Sequence, residues 1–256
     1  MKKLTFPLLL ISVFLFSEAF SYDNIKKDKK TIINSIESQK DRLIEISDNI
    51  WKAAEPALLE FKSSKYLSDY AEENGFRVTR GVAEIPTAFV AEFGSGKPVI
   101  GILGEFDANP GISQKKQPTK EPLVKGAAGH GCGHNLYGTG SLGAAIAIKE
   151  MIESGEISGT VRFYGTPAEE TIFAKVWMVR AGLFDDVDVC MDWHPSDEVE
   201  AATQSSKALV DFRLRFFGDA SHASGDPWNG NSAVDAMELY TTGLNYYREH
   251  VRPTAR

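Results

Sequence analysis

Two histidines and a cysteine lie within five residues, with a glycine between each pair: His130, Cys132 and His134. Thiolate and imidazole are ligands that Zn²⁺ and neighbouring transition metals prefer. Glycine has no side chain, so it lets the backbone bend close to an ion. The spacing therefore predicts a metal-binding turn, whose remaining ligands must come from other parts of the chain.

Three predicted strands are followed by further side chains that could bind a metal. They are Glu105 and Asp107 after the strand at 98–103, Glu169 and Glu170 after 160–164, and His194 after 187–192. In an α/β sheet, binding sites form in the crevice at the carboxyl ends of the strands. We therefore expect these side chains to converge on the metal-binding turn.

Each of these residues also has a simpler interpretation. The two adjacent glutamates would complement the dipole of a following helix in its first turn. Asp107 would suit the turn before Asn109-Pro110-Gly111, and His194 taken alone would suit the surface. The stretch Gly-Thr-Gly-Ser-Leu-Gly at 138–143 matches a dinucleotide-binding pattern, but no clear strand directly precedes it. Close packing of a helix against the sheet explains these glycines better.

Hydrophobic periodicity predicts alternating helices and strands, which indicates an α/β fold with a mostly parallel sheet. The predicted helices are 24–52, 56–73, 136–154 and 169–181; the predicted strands are 76–80, 88–93, 98–103, 160–164 and 187–192. The pattern changes after residue 208. A strand at 209–217 and an amphipathic helix at 232–250 would begin a second, α+β domain.

The first residues have the composition of an export signal. Two lysines precede an apolar run at 4–16, and small residues follow it, so cleavage after Ala19 or Ser21 is expected. The alternative is an uncleaved membrane anchor. We predict a signal peptide at 1–21, a metal-binding catalytic domain at 22–205 and a partial lid or dimerisation domain at 206–256. The mature protein would be periplasmic or secreted.

Net charge and cysteine content bear on two further questions, nucleic-acid binding and disulfide formation. The 256 residues carry a formal net charge of −7, which is not the basic footprint of a nucleic-acid-binding protein. The two cysteines, Cys132 and Cys190, would form a disulfide by default in an oxidising compartment. Their contexts favour Cys132 as a metal ligand and Cys190 as a core residue in a buried strand.

Three segments resemble, in their order, the metal motifs of metallopeptidase-type amidohydrolases: His-Gly-Cys-Gly-His-Asn at 130–135, Pro-Ala-Glu-Glu at 167–170 and Asp-Trp-His-Pro at 192–195. This family hydrolyses N-acyl-amino acids, indole-acetyl-amino acids and aminobenzoyl-glutamate. Gly-Glu-Phe-Asp at 104–107, Pro-Gly-Ile-Ser-Gln at 110–114 and the asparagine after His134 resemble most the aminobenzoyl-glutamate hydrolase type, in its B-like form.

The resemblance implies a centre of one or two divalent metal ions, Zn²⁺ or Mn²⁺. Its ligands would be Cys132, His134, Glu170 and His194, and Asp107 would orient one of them. His130 precedes the ligand pair and is a weaker candidate. The thiolate favours Zn²⁺ without excluding Mn²⁺.

The resemblance also implies a mechanism and a partner. Glu169 would be the general base, which takes a proton from the metal-activated water and passes it to the leaving amine. His222 would be the lid-domain histidine that stabilises the oxyanion, often across the interface of a homodimer. The substrate would be a small N-acyl amino acid, with no nucleic acid and, after signal cleavage, no membrane as a partner.

The chain is shorter than this family implies. Its members complete the second domain, return to the first domain and supply a further metal-binding histidine, so the sequence suggests a C-terminally truncated member. Two other functions are therefore weighed: a non-catalytic binding or assembly remnant, and a cysteine hydrolase that uses Cys132 with His130 or His134. The ligand-like spacing of these residues disfavours the cysteine hydrolase.

Overall fold

The structure is a computed structural model that describes residues 25–201 and 208–252. The chain divides into two compact units, Met1–Asp197 and Glu198–Arg256. The predicted signal peptide at 1–21 lies outside the described residues. Within the described residues, no helix combines the length and apolar character needed to cross a membrane.

The first unit is built on a five-stranded sheet with the order β1-β2-β4-β3-β5. The strands are β1 (Arg77–Arg80), β2 (Phe89–Ser95), β3 (Val99–Glu105), β4 (Gly159–Thr166) and β5 (Val189–Met191). The strand β3 pairs in parallel with β4 and β5, whereas β2 pairs antiparallel with β1 and β4. The α/β class is confirmed, and the sheet is mixed rather than mostly parallel, since parallel pairing is confined to β3, β4 and β5.

Helices cover both faces of this sheet. They are α1 (25–38), α2 (Lys40–Ala53), α3 (Phe61–Glu73), α4 (His134–Glu153), α5 (Glu169–Ile172) and α6 (Ala174–Arg180). Adjacent residues of the central strand β4 face opposite cores: Phe163 packs with residues of α2, α3 and α4, and Tyr164 packs with residues of α6. Side chains alternate along a strand, so β4 is buried on both faces.

Two predicted helices are interrupted in the structure. The predicted helix at 24–52 is broken at Gln39, and the one at 169–181 is broken at Phe173, whose φ of 55° is left-handed. The predicted helix at 56–73 begins only at Phe61. Apolar spacing continued across all three points, so it did not mark the breaks.

The glycines of the 138–143 stretch lie inside α4, and Gly138 allows the helix to approach the sheet. A Cβ atom at Gly138 would lie 2.5 Å from the backbone oxygen of Glu105 at the end of β3. The packing interpretation of this stretch is therefore confirmed. The close approach also brings the N-terminal turn of α4 beside the end of β3.

The prediction that Cys190 is a core residue is wrong. All three residues of β5 are exposed, because β5 is an edge strand of the sheet in the described part of the chain. An apolar run does not distinguish an edge strand from a central one. Cys132 and Cys190 are both free thiols, so the disulfide alternative does not hold.

The second unit contains one long helix, α7 (Ala233–Arg248), among its described residues. Ser232 caps this helix, since its side chain accepts a hydrogen bond from the backbone N–H of Asp235 at 3.1 Å. The predicted strand at 209–217 is not formed. A strand needs the backbone groups of a neighbour, and the described part of this unit contains no second strand.

Candidate metal centre

His134 is the first residue of α4, and its imidazole is completely buried between carboxylates. Its Nδ1 lies 2.9 Å from Oδ1 of Asp107, and its Nε2 lies 2.9 Å from Oε2 of Glu105. The preceding Gly133 has a φ of 82°, which allows the sharp turn from the glycine-rich loop into the helix. The hydrogen bond with Asp107 fixes the ring, so that Nε2 faces the other acidic residues.

Glu105 at the end of β3 is a buried carboxylate with two different environments. Its Oε1 is ion-paired with the ammonium of Lys175 on α6. Its Oε2 makes no hydrogen bond, although it lies 2.9 Å from Nε2 of His134. One oxygen of Glu105 is therefore held by a cation and the other remains available.

Glu169 and Glu170 form the first turn of the four-residue helix α5, directly beyond β4. The backbone N–H of Glu170 donates a 2.9 Å hydrogen bond to Oδ2 of Asp107. Its side-chain Oε1 is buried without a hydrogen bond and lies 3.8 Å from Nε2 of His134. Asp107 thus connects a candidate ligand on α4 with another on α5.

Cys132 and His194 complete the cluster from the glycine-rich loop and the chain after β5. Sγ of Cys132 lies 3.4 Å from Nε2 of His194. Nδ1 of His194 lies 2.9 Å from the carbonyl oxygen of Pro195, which fits a donated hydrogen bond and leaves Nε2 with a free lone pair. The backbone N–H of Cys132 is held by the side chain of Asn109 at 3.1 Å.

The donor atoms form two overlapping groups within the described residues. In each, the ligand atoms lie within 4.8 Å of one another: Cys132, His134 and His194 in one, and Glu105, His134 and Glu169 in the other. Three of the atoms that meet here are buried without hydrogen bonds, namely Glu105 Oε2, His134 Nε2 and Glu170 Oε1. Buried polar atoms are normally satisfied. A divalent cation would satisfy all three, so these residues fit a metal.

The acidic surroundings shift the pKa values of the candidate ligands. Burial and the nearby carboxylate of Glu170 raise the pKa of the Cys132 thiol to about 11. Burial opposes protonation of His134, but its contacts with Asp107 and Glu105 outweigh burial and raise its pKa to about 10. Both groups would have to release a proton to bind a metal. A high thiol pKa also disfavours Cys132 as a nucleophile.

Glu169 has the environment of a group that carries a proton. Burial and the negative charge of Glu105 raise its pKa, and Lys175 and His134 partly oppose this effect. A carboxylate with a raised pKa is better able to accept a proton near neutral pH.

Aromatic rings form one wall of the cluster. Tyr137, one turn along α4, contacts the rings of His134, His194 and Trp193 edge to face. The indole N–H of Trp193 donates to Ser141 at 3.1 Å, which fixes the chain beside His194. These contacts bring an apolar, low-dielectric surface against the ligand atoms, where charge interactions are stronger.

The structure brings together six of the predicted residues, five in this cluster and Asp107 beside them. The five are Cys132, His134, Glu169, Glu170 and His194. His130 is in neither group of ligand atoms; its Nε2 contacts the carbonyl oxygen of Ile50 at 3.1 Å, and burial lowers its pKa to about 4.

His222 lies in the second unit, where its own loop fixes the ring. Its Nδ1 accepts a hydrogen bond from the backbone N–H of Gly225 at 3.0 Å. A neutral ring in this arrangement carries its proton on Nε2, so that Nε2 is a donor. This local geometry suits an oxyanion-stabilising group, while the assignment of His222 to that role stays a prediction.

The sequence placed Glu105 at a strand end near the turn but assigned it no role in the site, and it did not indicate Lys175 at all. The signal for Glu105 was its place at the end of β3, two positions before Asp107. Nothing in the sequence indicated Lys175, whose contact with Glu105 joins residues 70 positions apart.

The family model "Peptidase family M20/M25/M40" matches residues 101–251. The chain is 46% identical over 228 residues to the B-type subunit of the p-aminobenzoyl-glutamate hydrolase of Escherichia coli, covering 88% of this chain and 47% of the relative. It is 32% identical over 240 residues to the Xaa-Arg dipeptidase of Mus musculus, covering 89% and 52%. The chain therefore spans about half the length of these curated relatives.

Solved structures show the same fold. A Bacillus subtilis protein, YXEP, described as a dinuclear metal-binding peptidase of the M20 family, matches with a TM-score of 0.52 and 27% identity, over 60% of this chain and 42% of that one. A protein of methicillin-resistant Staphylococcus aureus, described as an aminohydrolase, matches with a TM-score of 0.63 and 24% identity, over 88% and 58%. The sequence and structural matches agree, and the chain belongs to peptidase family M20/M25/M40.

Proposed function

We propose that this protein is a metal-dependent hydrolase of the amide bond between an acyl or aroyl group and an amino acid, with aminobenzoyl-glutamate as the first substrate to test. One observation carries the proposal. Buried carboxylate oxygens that make no hydrogen bonds converge on Nε2 of His134, which makes none either. The substrate class is supported by the 46% identity to the p-aminobenzoyl-glutamate hydrolase relative.

The metal would be held by Cys132, His134, Glu170 and His194, and Glu105 offers a further oxygen. A divalent ion bound there would lower the pKa of water and polarise the scissile carbonyl. Asp107 keeps the imidazole of His134 oriented and positions the backbone of Glu170. Zn²⁺ and Mn²⁺ both remain candidates, in one or two copies.

Glu169 would act as the proton carrier. It would accept a proton from the attacking water and donate it to the amine as the amide bond breaks, which is general base followed by general acid catalysis. Its raised pKa favours this exchange. His222 would donate a hydrogen bond from Nε2 to the oxyanion, since its Nδ1 already accepts one from Gly225.

The cellular setting remains part of the proposal. Export through the segment 1–21 would place the protein in the periplasm or outside the cell, which fractionation of the expressed gene product would test.

Assembly as a homodimer through the second unit would be measured by light scattering. The hydrolase relative is named as one subunit of its enzyme, which supports some form of assembly.

The deciding experiment is metal removal and readdition. The purified chain would be treated with a chelator, assayed on aminobenzoyl-glutamate, and assayed again after addition of Zn²⁺ or Mn²⁺, with metal content measured at each step. Loss and recovery of hydrolysis would support the proposal. Bound metal without hydrolysis would support the binding or assembly remnant, and activity that resists the chelator would support a cysteine mechanism.

A further inference from the structure

Glu60 is a completely buried carboxylate that the proposed reaction does not use. It directly precedes α3, where a side chain commonly caps the helix, yet it makes no such cap. The carboxylate of Glu55 performs that function instead, accepting hydrogen bonds from the backbone N–H groups of Lys62 and Ser63 at 3.1 and 2.9 Å. The carboxylate of Glu60 is therefore free to bind other groups in the interior.

Its partners lie in two other parts of the unit. Oε1 of Glu60 accepts a 2.8 Å hydrogen bond from the backbone N–H of Ala168, and Oε2 accepts a 3.2 Å hydrogen bond from the hydroxyl of Thr87. Ala168 is separated from Glu60 by 108 positions and is itself completely buried. A buried N–H that lost this acceptor would have no water to replace it.

Ala168 has an unusual backbone conformation at the point where β4 gives way to α5. Its φ of 55° and ψ of 35° are left-handed, a region that residues other than glycine avoid. The next two residues are Glu169 and Glu170. The direction in which these side chains leave the sheet thus depends on Ala168 keeping this conformation.

The helix α5 has only four residues and cannot hold its own shape. Two buried carboxylates fix its first turn from outside, Glu60 through the N–H of Ala168 and Asp107 through the N–H of Glu170. Asp107 also contacts His134, so it belongs to the metal centre. Glu60 makes no hydrogen bond to a candidate ligand, and its link to the turn is the bond to the N–H of Ala168.

We infer that Glu60 is a positioning residue, whose buried carboxylate holds the left-handed turn at Ala168 and thereby aims Glu169 and Glu170 into the metal centre. This inference rests on the proposed function. The role requires an acceptor oxygen at the end of a side chain of this length and does not require a negative charge. Glutamine can supply that oxygen to Ala168, and the hydroxyl of Thr87 can then accept from its amide.

The test compares Glu60→Gln with Glu60→Asp in the full chain, by calorimetric titration with Zn²⁺ and Mn²⁺ and by kinetics on aminobenzoyl-glutamate. Aspartate keeps the carboxylate but withdraws it by about one carbon–carbon bond, ~1.5 Å. We expect Glu60→Asp to lower metal affinity and kcat by about 10- to 100-fold with KM changed less than threefold, the range found for residues that orient ligands. Glu60→Gln should stay within threefold of the unchanged chain.

Thr87→Val is the matched control, because it removes the second partner of Glu60 and leaves the bond to Ala168. Its metal affinity should change less than threefold. A folded Glu60→Asp variant with unchanged metal affinity and kcat would overturn the inference, and so would an equal loss in Glu60→Gln. If the unchanged chain binds neither metal, the proposed function itself fails; if it binds metal and hydrolyses substrate while Glu60→Asp matches it, only the inference fails.

Discussion

Asp107 and His134 form the central contact of the candidate metal centre, with Oδ1 and Nδ1 2.9 Å apart and both side chains buried. The second oxygen of Asp107 accepts the backbone N–H of Glu170. One carboxylate therefore positions two candidate ligands, one at the start of α4 and the other in α5.

The first prediction concerns this shared carboxylate. Asp107→Asn keeps one oxygen but replaces the other by NH₂, which donates and cannot accept, so one of the two neighbours loses its acceptor. Metal affinity measured by calorimetry should fall about 10- to 100-fold. Asp48→Asn is the control, since Asp48 pairs with Lys116 on the surface, and it should leave affinity unchanged. A loss of less than threefold in Asp107→Asn would contradict the orienting role.

The second prediction separates the two adjacent glutamates. Glu169→Gln should retain metal and lose about 10²- to 10⁴-fold in kcat, because the proton carrier is removed. Glu170→Gln should lose metal, because the amide is a weaker ligand than a carboxylate. The geometry makes this comparison necessary, since Glu169 lies within ligand distance of Glu105 and His134. Equal metal loss in both variants would show that the roles are not divided in this way.

The third prediction tests the contact between α4 and β3. Gly138→Ala places a Cβ atom 2.5 Å from the backbone oxygen of Glu105, so the helix must shift. We expect a loss of about 1–3 kcal/mol in the free energy of unfolding, measured with urea. Gly243→Ala in α7 has no atom within 4 Å of its Cβ and should gain up to about 1 kcal/mol. Equal effects at both positions would exclude the packing explanation.

The fourth prediction concerns the ion pair between the half-buried Lys175 and the buried Glu105. Lys175→Met leaves the buried carboxylate without its cation and should lower the stability of the metal-free protein by about 1–3 kcal/mol. Added Zn²⁺ should restore much of the lost stability, because the ion supplies positive charge beside Glu105. Lys65→Met breaks an exposed pair with Asp69 and should cost less than about 1 kcal/mol. Thermal melts with chelator and with Zn²⁺ would measure both effects.

The fifth prediction follows from the pKa of Glu60, which burial raises to about 7 and which backbone N–H groups partly lower. The folded protein keeps this proton between pH 4.5 and 7 while the unfolded chain loses it. The stabilisation of the folded protein by this proton is therefore full below pH 4.5. It is lost as the pH rises from 4.5 through 7, at about 1.4 kcal/mol per pH unit. Glu60→Gln should remove this part of the slope. Parallel stability curves for the two proteins would contradict it.

The sequence by itself determined the α/β class, the order of the metal motifs and the strand ends from which the candidate ligands come. These features are local: glycine spacing marks the turn before His134, and apolar runs mark the strands that precede Glu105, Glu169 and His194. The carboxyl ends of parallel strands lie at one edge of a sheet, so local patterns were sufficient to predict convergence.

Only the tertiary structure decided which side chains meet and which strands are covered. Lys175 reaches Glu105 across 70 positions, and Glu60 reaches Ala168 across 108. No local pattern specifies such pairs, because they arise from the packing of α3 and α6 against the sheet. The exposure of Cys190 and the absence of a strand at 209–217 were likewise not predictable from local patterns. Whether an apolar or alternating run is buried or paired depends on neighbours that are distant in the sequence.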